Sequence, residues 1–137
     1  FFDRRTLAKV DYGLLLTFVA LFVFVGNMAR IPAVHEVLSA LVGIAPFYAA
    51  VGSSQVISNV PAAVLLSGFT NDWTALIVGT NLGGLGTPIA SMASLISLKI
   101  ATASGLVGKR RYLAVFTAWN VAFLAVLCAA NAVFGWA

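Results

Sequence analysis

Two long uncharged stretches, each broken in the middle in the same way, restrict this chain more than any other feature. From Val37 to Asn71 no residue is charged, yet Ser58-Asn59-Val60-Pro61 interrupts the run. From Trp73 to Leu98 none is charged either, yet Gly79-Thr80-Asn81-Leu82-Gly83-Gly84-Leu85-Gly86-Thr87-Pro88 divides it. Each break places an amide side chain where an embedded helix should be apolar, then restarts a helix with proline. Inside a bilayer, backbone stays irregular only where it is buried in protein or lines a water-filled cavity. Paired Gly/Pro-interrupted apolar segments are the pattern expected of a transporter whose site lies at the interruptions.

Composition agrees with an embedded chain. Of 137 residues, 61% are hydrophobic and 9% charged, which is a membrane composition; a soluble domain needs far more charge to cover its surface. The net charge of +4 is informative by position. Arg4, Arg5 and Lys9 precede the first apolar run, and Lys99, Lys109, Arg110 and Arg111 precede the last. No basic groove interleaved with stacking aromatics is visible, which speaks against nucleic acid as a partner. Cys128 is the only cysteine; without a disulfide partner or companions for a metal it reads as a small packing residue. The chain opens Phe-Phe-Asp-Arg-Arg, with no initiator Met and no small-residue cleavage site after the first apolar run. It does not look like a signal peptide and reads as part of a longer polypeptide or one half of a split assembly.

Four units are expected. Residues 1–41 hold a scaffold transmembrane helix over Tyr12 to Ala29, 18 residues long, followed by an interfacial arm helix from Ile31 to Leu41. Residues 42–71 form a re-entrant hairpin: Val42 to Ile57 descends, Ser58 to Val60 turns, and Pro61 starts the climb to Phe69, since proline suits a first helical turn. Residues 72–100 form a broken transmembrane helix. Asn71 and Asp72 cap it, a half-helix from Trp73 stops at Gly79, Thr80 to Thr87 is irregular, and a second half begins with Thr87 as N-cap and Pro88 first inside. Ser91, Ser94 and Ser97 follow at three-residue spacing, a small polar stripe suited to helix packing. Residues 101–137 hold a basic cytoplasmic loop, part of a polar connector from Lys99 to Arg111, and a last transmembrane helix from Tyr112 to Trp136.

Charge placement supports that topology. Cytoplasmic loops are rich in Lys and Arg. With Arg4, Arg5 and Lys9 inside, the first helix exits, a hairpin returns to the outer side at Asn71 and Asp72, and the broken helix delivers Lys99 and Lys109 to Arg111 inside. A single crossing from Val42 to Thr70 would put that basic loop outside; two full crossings satisfy parity equally well. Tyr12 and Tyr112 then fall at the inner interface and Trp73 and Trp136 at the outer one.

The chemistry follows from the breaks. Helix N-termini carry about half a positive charge and unpaired N–H groups, so restarts at Pro61 and Pro88 facing one cavity would attract an anion without a buried cation. Irregular carbonyls and the side chains of Ser58, Asn59, Thr80 and Asn81 would accept a dehydrated cation or hydrogen-bond a substrate. No Asp, Glu, Lys, Arg or His lies deep in any segment, so a proton carrier would have to come from outside the chain; His35 and Glu36 read as solvated interface groups. No nucleophile has a histidine partner, no paired membrane aspartates occur, and no His-Glu-x-x-His motif occurs, so an enzyme is not expected. The glycine cluster lacks the strand, helix and acidic residue of a dinucleotide site.

Ser58-Asn59-Val60-Pro61-Ala62-Ala63 resembles the hairpin-tip motif of the ion transporter superfamily, which includes divalent anion/sodium symporters, citrate-type permeases, arsenite permeases and related sodium/proton antiporters. Thr80 to Ser91 resembles its second-repeat broken-helix motif, closest to the arsenite-permease-like and citrate-type branches, and Val10 to Leu15 before Phe18 to Gly26 is similar to the helix that opens that repeat. The resemblance implies an all-α integral membrane fold that is one half of an inverted-repeat transporter, this chain being the C-terminal repeat. Transport there involves movement of a transport domain against a scaffold. It implies a substrate and ion site at Ser58, Asn59, Val60, Pro61, Thr80, Asn81, Gly83, Gly84, Thr87 and Pro88, with a sodium site at Ser58, Asn59 and Asn81. Sodium-coupled dicarboxylate members carry threonine after Ser-Asn; Val60 offers only backbone there, which leans toward the permease or antiporter branches.

The expected activity is secondary active transport of a small anion in a bacterial inner (plasma) membrane, without a cofactor and with Na+ or H+ as coupling ion. The alternatives are a sodium/proton antiporter and a non-transporting membrane subunit. The expected partners are the anion, membrane lipid, an N-terminal repeat that completes the binding face, and a second copy in a homodimer.

Overall fold

In a computed structural model, residues 12–28, 30–105 and 108–135 are described. Expectations that rest on residues 1–11 and on Trp136 lie outside them. Among the described residues every regular element is helical: α1 Tyr12–Met28, α2 Pro32–Ile44, α3 Pro46–Ile57, α4 Asn59–Leu66, α5 Trp73–Gly83, a 3₁₀ turn Pro88–Ala90, α6 Met92–Ala103 and α7 Lys109–Phe134.

Lengths separate spanning from non-spanning elements. At about 1.5 Å per residue, α3, α4, α5 and α6 measure only about 12–18 Å, short of the ~30 Å hydrocarbon core of a bilayer. Among the described residues α7, with 26 residues, is the one helix long and apolar enough to cross a membrane by itself. Leu15–Met28 and Pro32–Ile44 pass the same test only as a pair and are bent by 91° between them.

The chain doubles back at Ser58. Ala50 and Leu66, each eight positions from Ser58, fall in one buried cluster with Val42 and Leu76. The turn is a single residue: Ser58 has φ 72 and ψ 153, and α4 begins at Asn59. Here the structure differs from the sequence reading, which began the second arm at Pro61. The helix starts two residues earlier because a proline in the first turn forfeits an N–H that would have no helical acceptor anyway. The entry to the hairpin also moves, from Val42 to Pro46, since α2 runs on to Ile44 and breaks at Ala45, whose N–H still bonds the Leu41 carbonyl.

Alongside the hairpin, α5 runs in the same direction as α3. A Cβ on Gly79 would meet Phe47 and Ala50, and one on Gly83 would meet Ser54 and Val51. Ala75, Gly79 and Gly83, four residues apart and all buried, form a small-residue stripe that lets the two backbones approach. This reassigns Gly79 from helix stop to packing surface, and α5 continues unbroken to Gly83. A second buried cluster, Phe47, Val51 and Ala75, receives Leu124 and Cys128 of α7; the cysteine packs, as its setting suggested.

The second restart differs as well. Pro88–Ala90 is a 3₁₀ turn whose N-cap Thr87 makes no side-chain cap bond, and α6 begins at Met92, capped by Ser91 through its bond from the Ala93 N–H. The serine stripe divides accordingly: Ser91 caps, Ser94 is buried, and Ser97 shares a 2.6 Å hydroxyl–hydroxyl bond with Tyr112. Lys99 lies on α6 and Lys109 to Arg111 open α7, so only residues 104–108 separate the two helices rather than a long basic loop.

Candidate functional site

Because α3 and α5 run in parallel and the last residue of α5, Gly83, packs on Val51 and Ser54 about one turn before α3 ends, the link that follows α5 is carried alongside the hairpin tip. Ser58, 2% exposed, directs its hydroxyl toward the Ala90 carbonyl at 3.5 Å. Asn59 follows at the start of α4; its Oδ1 accepts the Val60 N–H at 3.0 Å, which satisfies one orphan donor of that helix end. Its Nδ2 lies 3.0 Å from the point where a Cβ on Gly84 would stand, and the Asn81 carbonyl lies 3.2 Å from the same point. Gly84 is thus a place where the end of α5 closely approaches the hairpin tip.

Not every expected residue is brought to this junction through its side chain. Thr80 is 6% exposed and its hydroxyl bonds back to the Leu76 carbonyl at 2.8 Å. Asn81 is exposed and donates to the Ile77 carbonyl at 2.7 Å. The sequence pattern predicts both as irregular, yet both are helical, and their back-bonds are how polar side chains persist on an apolar helix. Val60 is 48% exposed, Pro61 is buried, and Pro88 is half-buried in the 3₁₀ turn. The irregular link shrinks to Gly84 through Thr87.

The junction is fastened by a residue the sequence reading did not place in the site. Gln55 donates from Nε2 to the carbonyls of Gly83 at 2.7 Å and Leu85 at 2.9 Å, and its Oε1 accepts the Thr87 N–H at 3.0 Å. Thr87 returns a bond from its hydroxyl to the Gln55 carbonyl at 3.2 Å. Gly86 makes room for this carboxamide: its φ is +101, and a Cβ there would collide with Gln55 Oε1. The signal in the sequence was a long amide within the polar centre of the hairpin run, one helical turn before Ser58.

Several carbonyls around the junction already accept a hydrogen bond. Carbonyls of Gly83 and Leu85 are taken by Gln55, and those of Thr80 and Asn81 by the Gly84 N–H. Asn59 contributes its Nδ2 hydrogens beside the N-terminus of α4, where partial positive charge gathers. No ionisable residue belongs to the hairpin tip or the link.

No protein-family profile matches the chain, and no solved structure does. Two proteins are similar to it in part. The uncharacterized transporter MJ0456 of Methanocaldococcus jannaschii is 44% identical over 103 residues, which are 74% of this chain and 29% of that protein. The inner membrane protein YbiR of Escherichia coli is 38% identical over 101 residues, 72% of this chain and 27% of that protein. The chain spans under a third of the length of these curated relatives. Its partial homology therefore runs to a segment of two larger proteins, one named a transporter and the other an inner membrane protein.

Proposed function

We propose that this chain supplies one half of the binding region of a secondary transporter for a small anion, embedded in a plasma membrane. The observation that carries the reading is the juxtaposition of two helix interruptions, Ser58–Asn59 and Gly84–Thr87, each inside a long uncharged run of the chain. Paired interruptions that meet are the arrangement in which such transporters hold substrate. The name of the M. jannaschii relative supports transport, and that of the E. coli relative supports the membrane.

In this reading α3 and α4 are a re-entrant hairpin, α1 and α7 are supporting helices, and a further repeat elsewhere in the full protein covers the exposed face of Val60 and Asn81. Asn59 and the α4 N-terminus bind the anion, and no buried lysine or arginine is needed. The basic residues Lys109, Arg110 and Arg111 support a cytoplasmic start for α7. The sodium/proton antiporter stays second, because a proton carrier would have to be a deep carboxylate outside these residues.

The decisive experiment is uptake into proteoliposomes of the full-length protein, with labelled small anions and imposed sodium or proton gradients. Gradient-dependent uptake of one anion establishes the function and its coupling ion. Electroneutral sodium/proton exchange without anion uptake hands the case to the antiporter, and inertness of well-folded protein across both assays favours a non-transporting subunit.

A further inference from the structure

Gln55 does more than fill space at the hairpin. Where α5 ends at Gly83, its last carbonyls lose helical partners, and the link to Pro88 adds further unpaired backbone groups. Such groups must be matched when they are withdrawn from water. One primary amide does this because it both donates and accepts: it serves the carbonyls of Gly83 and Leu85 and the N–H of Thr87. These contacts join residues 28 to 32 positions apart in the chain. The Thr87 hydroxyl closes the ring onto the Gln55 backbone, and Gly86 at φ +101 shapes the pocket the carboxamide fills.

We infer that Gln55 is a positioning residue that locks the Gly84–Thr87 link to the hairpin tip. The two interruptions then form one structural unit, and Asn59 is held against Gly84 by a residue one turn away. No other side chain carries a carboxamide at this reach, since asparagine has the same group one methylene shorter. Glutamate has the same length but presents only acceptors when ionised, and methionine has the length with neither a donor nor a strong acceptor. The consequence for transport, that the two parts of the site do not open independently, rests on the function proposed above. The lock itself does not.

Hydrogen–deuterium exchange of the full-length protein in lipid nanodiscs tests it, comparing wild type with Gln55→Met and Gln55→Glu. Gln55→Met loses the three carboxamide hydrogen bonds to Gly83, Leu85 and Thr87, and Gln55→Glu the two donated to Gly83 and Leu85. In both variants the amides of the 84–90 segment other than Pro88 should therefore exchange about tenfold faster or more, while α7 keeps wild-type protection. Unchanged exchange in both isosteric variants would overturn the lock and leave Gln55 a packing residue, as would acceleration spread evenly over every helix. Should neither variant assemble, Thr87→Val removes one bond of the same ring: faster exchange confined to residues 84–90 supports the lock, and wild-type exchange there overturns it. Anion uptake read on the same samples separates the two claims. An open link with uptake lost supports both; an open link with uptake intact keeps the lock and counts against the site proposed here.

Discussion

Gly79 lies so close to Phe47 that a Cβ on the glycine would stand 2.6 Å from the phenylalanine carbonyl oxygen. The neighbour is backbone, not a flexible side-chain end, so it cannot swing aside. The parallel contact of α3 with α5, and with it the alignment of the two interruptions, depends on this missing methyl group. Gly79→Ala should therefore cost about 1–3 kcal/mol, the usual range for overpacking. Gly52, on an exposed face of α3 with nothing within 4 Å of its would-be Cβ, is the control: Gly52→Ala should be neutral or stabilising by up to about 1 kcal/mol. Thermal melts of the full-length protein in detergent compare them, and equal melting of the two variants would refute the close contact.

Ser58 is the one non-glycine residue with positive φ among those described, at φ 72 and ψ 153. Few residues other than glycine tolerate that region, and holding one there costs about 1–3 kcal/mol. Ser58→Gly should thus raise stability by about 1 kcal/mol, after the loss of the long contact to Ala90 and the greater freedom of glycine in the unfolded chain. Under the transport reading proposed above, the same change frees the tip, so uptake should fall as the melting temperature climbs. A lower melting temperature would mean that the serine hydroxyl matters more than the backbone strain.

Asp72 accepts the Ala75 N–H at 2.9 Å and so caps α5. Asp72→Ala should cost about 1 kcal/mol and Asp72→Asn only a few tenths, as for other N-caps. Chemical denaturation resolves the pair; similar losses in both would point to the charge of Asp72 rather than its capping bond.

How much of this was legible depends on what each residue does locally. Asp72 as a cap, the single cysteine as packing, and the existence of two interruptions could be read because they follow from residue type and neighbours. Gly79 could not. A glycine after Val78 looks like a helix stop, and only the presence of α3 across from it turns it into a contact surface. Thr80 and Asn81 were misplaced for the same reason: their back-bonds to Leu76 and Ile77 let them stay helical where composition suggested a break. Pro61 marked a helix start correctly in kind but two residues late, because a first turn accepts proline at any of its positions whose N–H has no helical acceptor. Gln55 was invisible as a fastener, since its three partners lie about thirty residues away and no periodicity encodes such a bond.

Asn59 and Asn81 look equivalent in sequence and are not equivalent in structure, which makes them the sharpest test of the proposed site. Asn59 Nδ2 abuts Gly84 at the junction itself, whereas the Asn81 side chain donates back to Ile77 on the exposed side of α5. Under the transport reading, Asn59→Ala removes the donor nearest the α4 N-terminus, and uptake should fall at least tenfold, the order expected when one charge-assisted hydrogen bond to an anion is lost. Asn81→Ala should lower uptake too, but only if the remainder of the protein closes over that exposed face. The two variants should fold alike, because neither side chain bridges separate helices through a hydrogen bond. Parallel uptake and melting measurements on the full-length protein read all of this at once. Loss of uptake in Asn59→Ala at an unchanged melting temperature assigns the residue to the site; loss of both in proportion returns it to the role of a helix cap and removes the main support for anion binding at the hairpin.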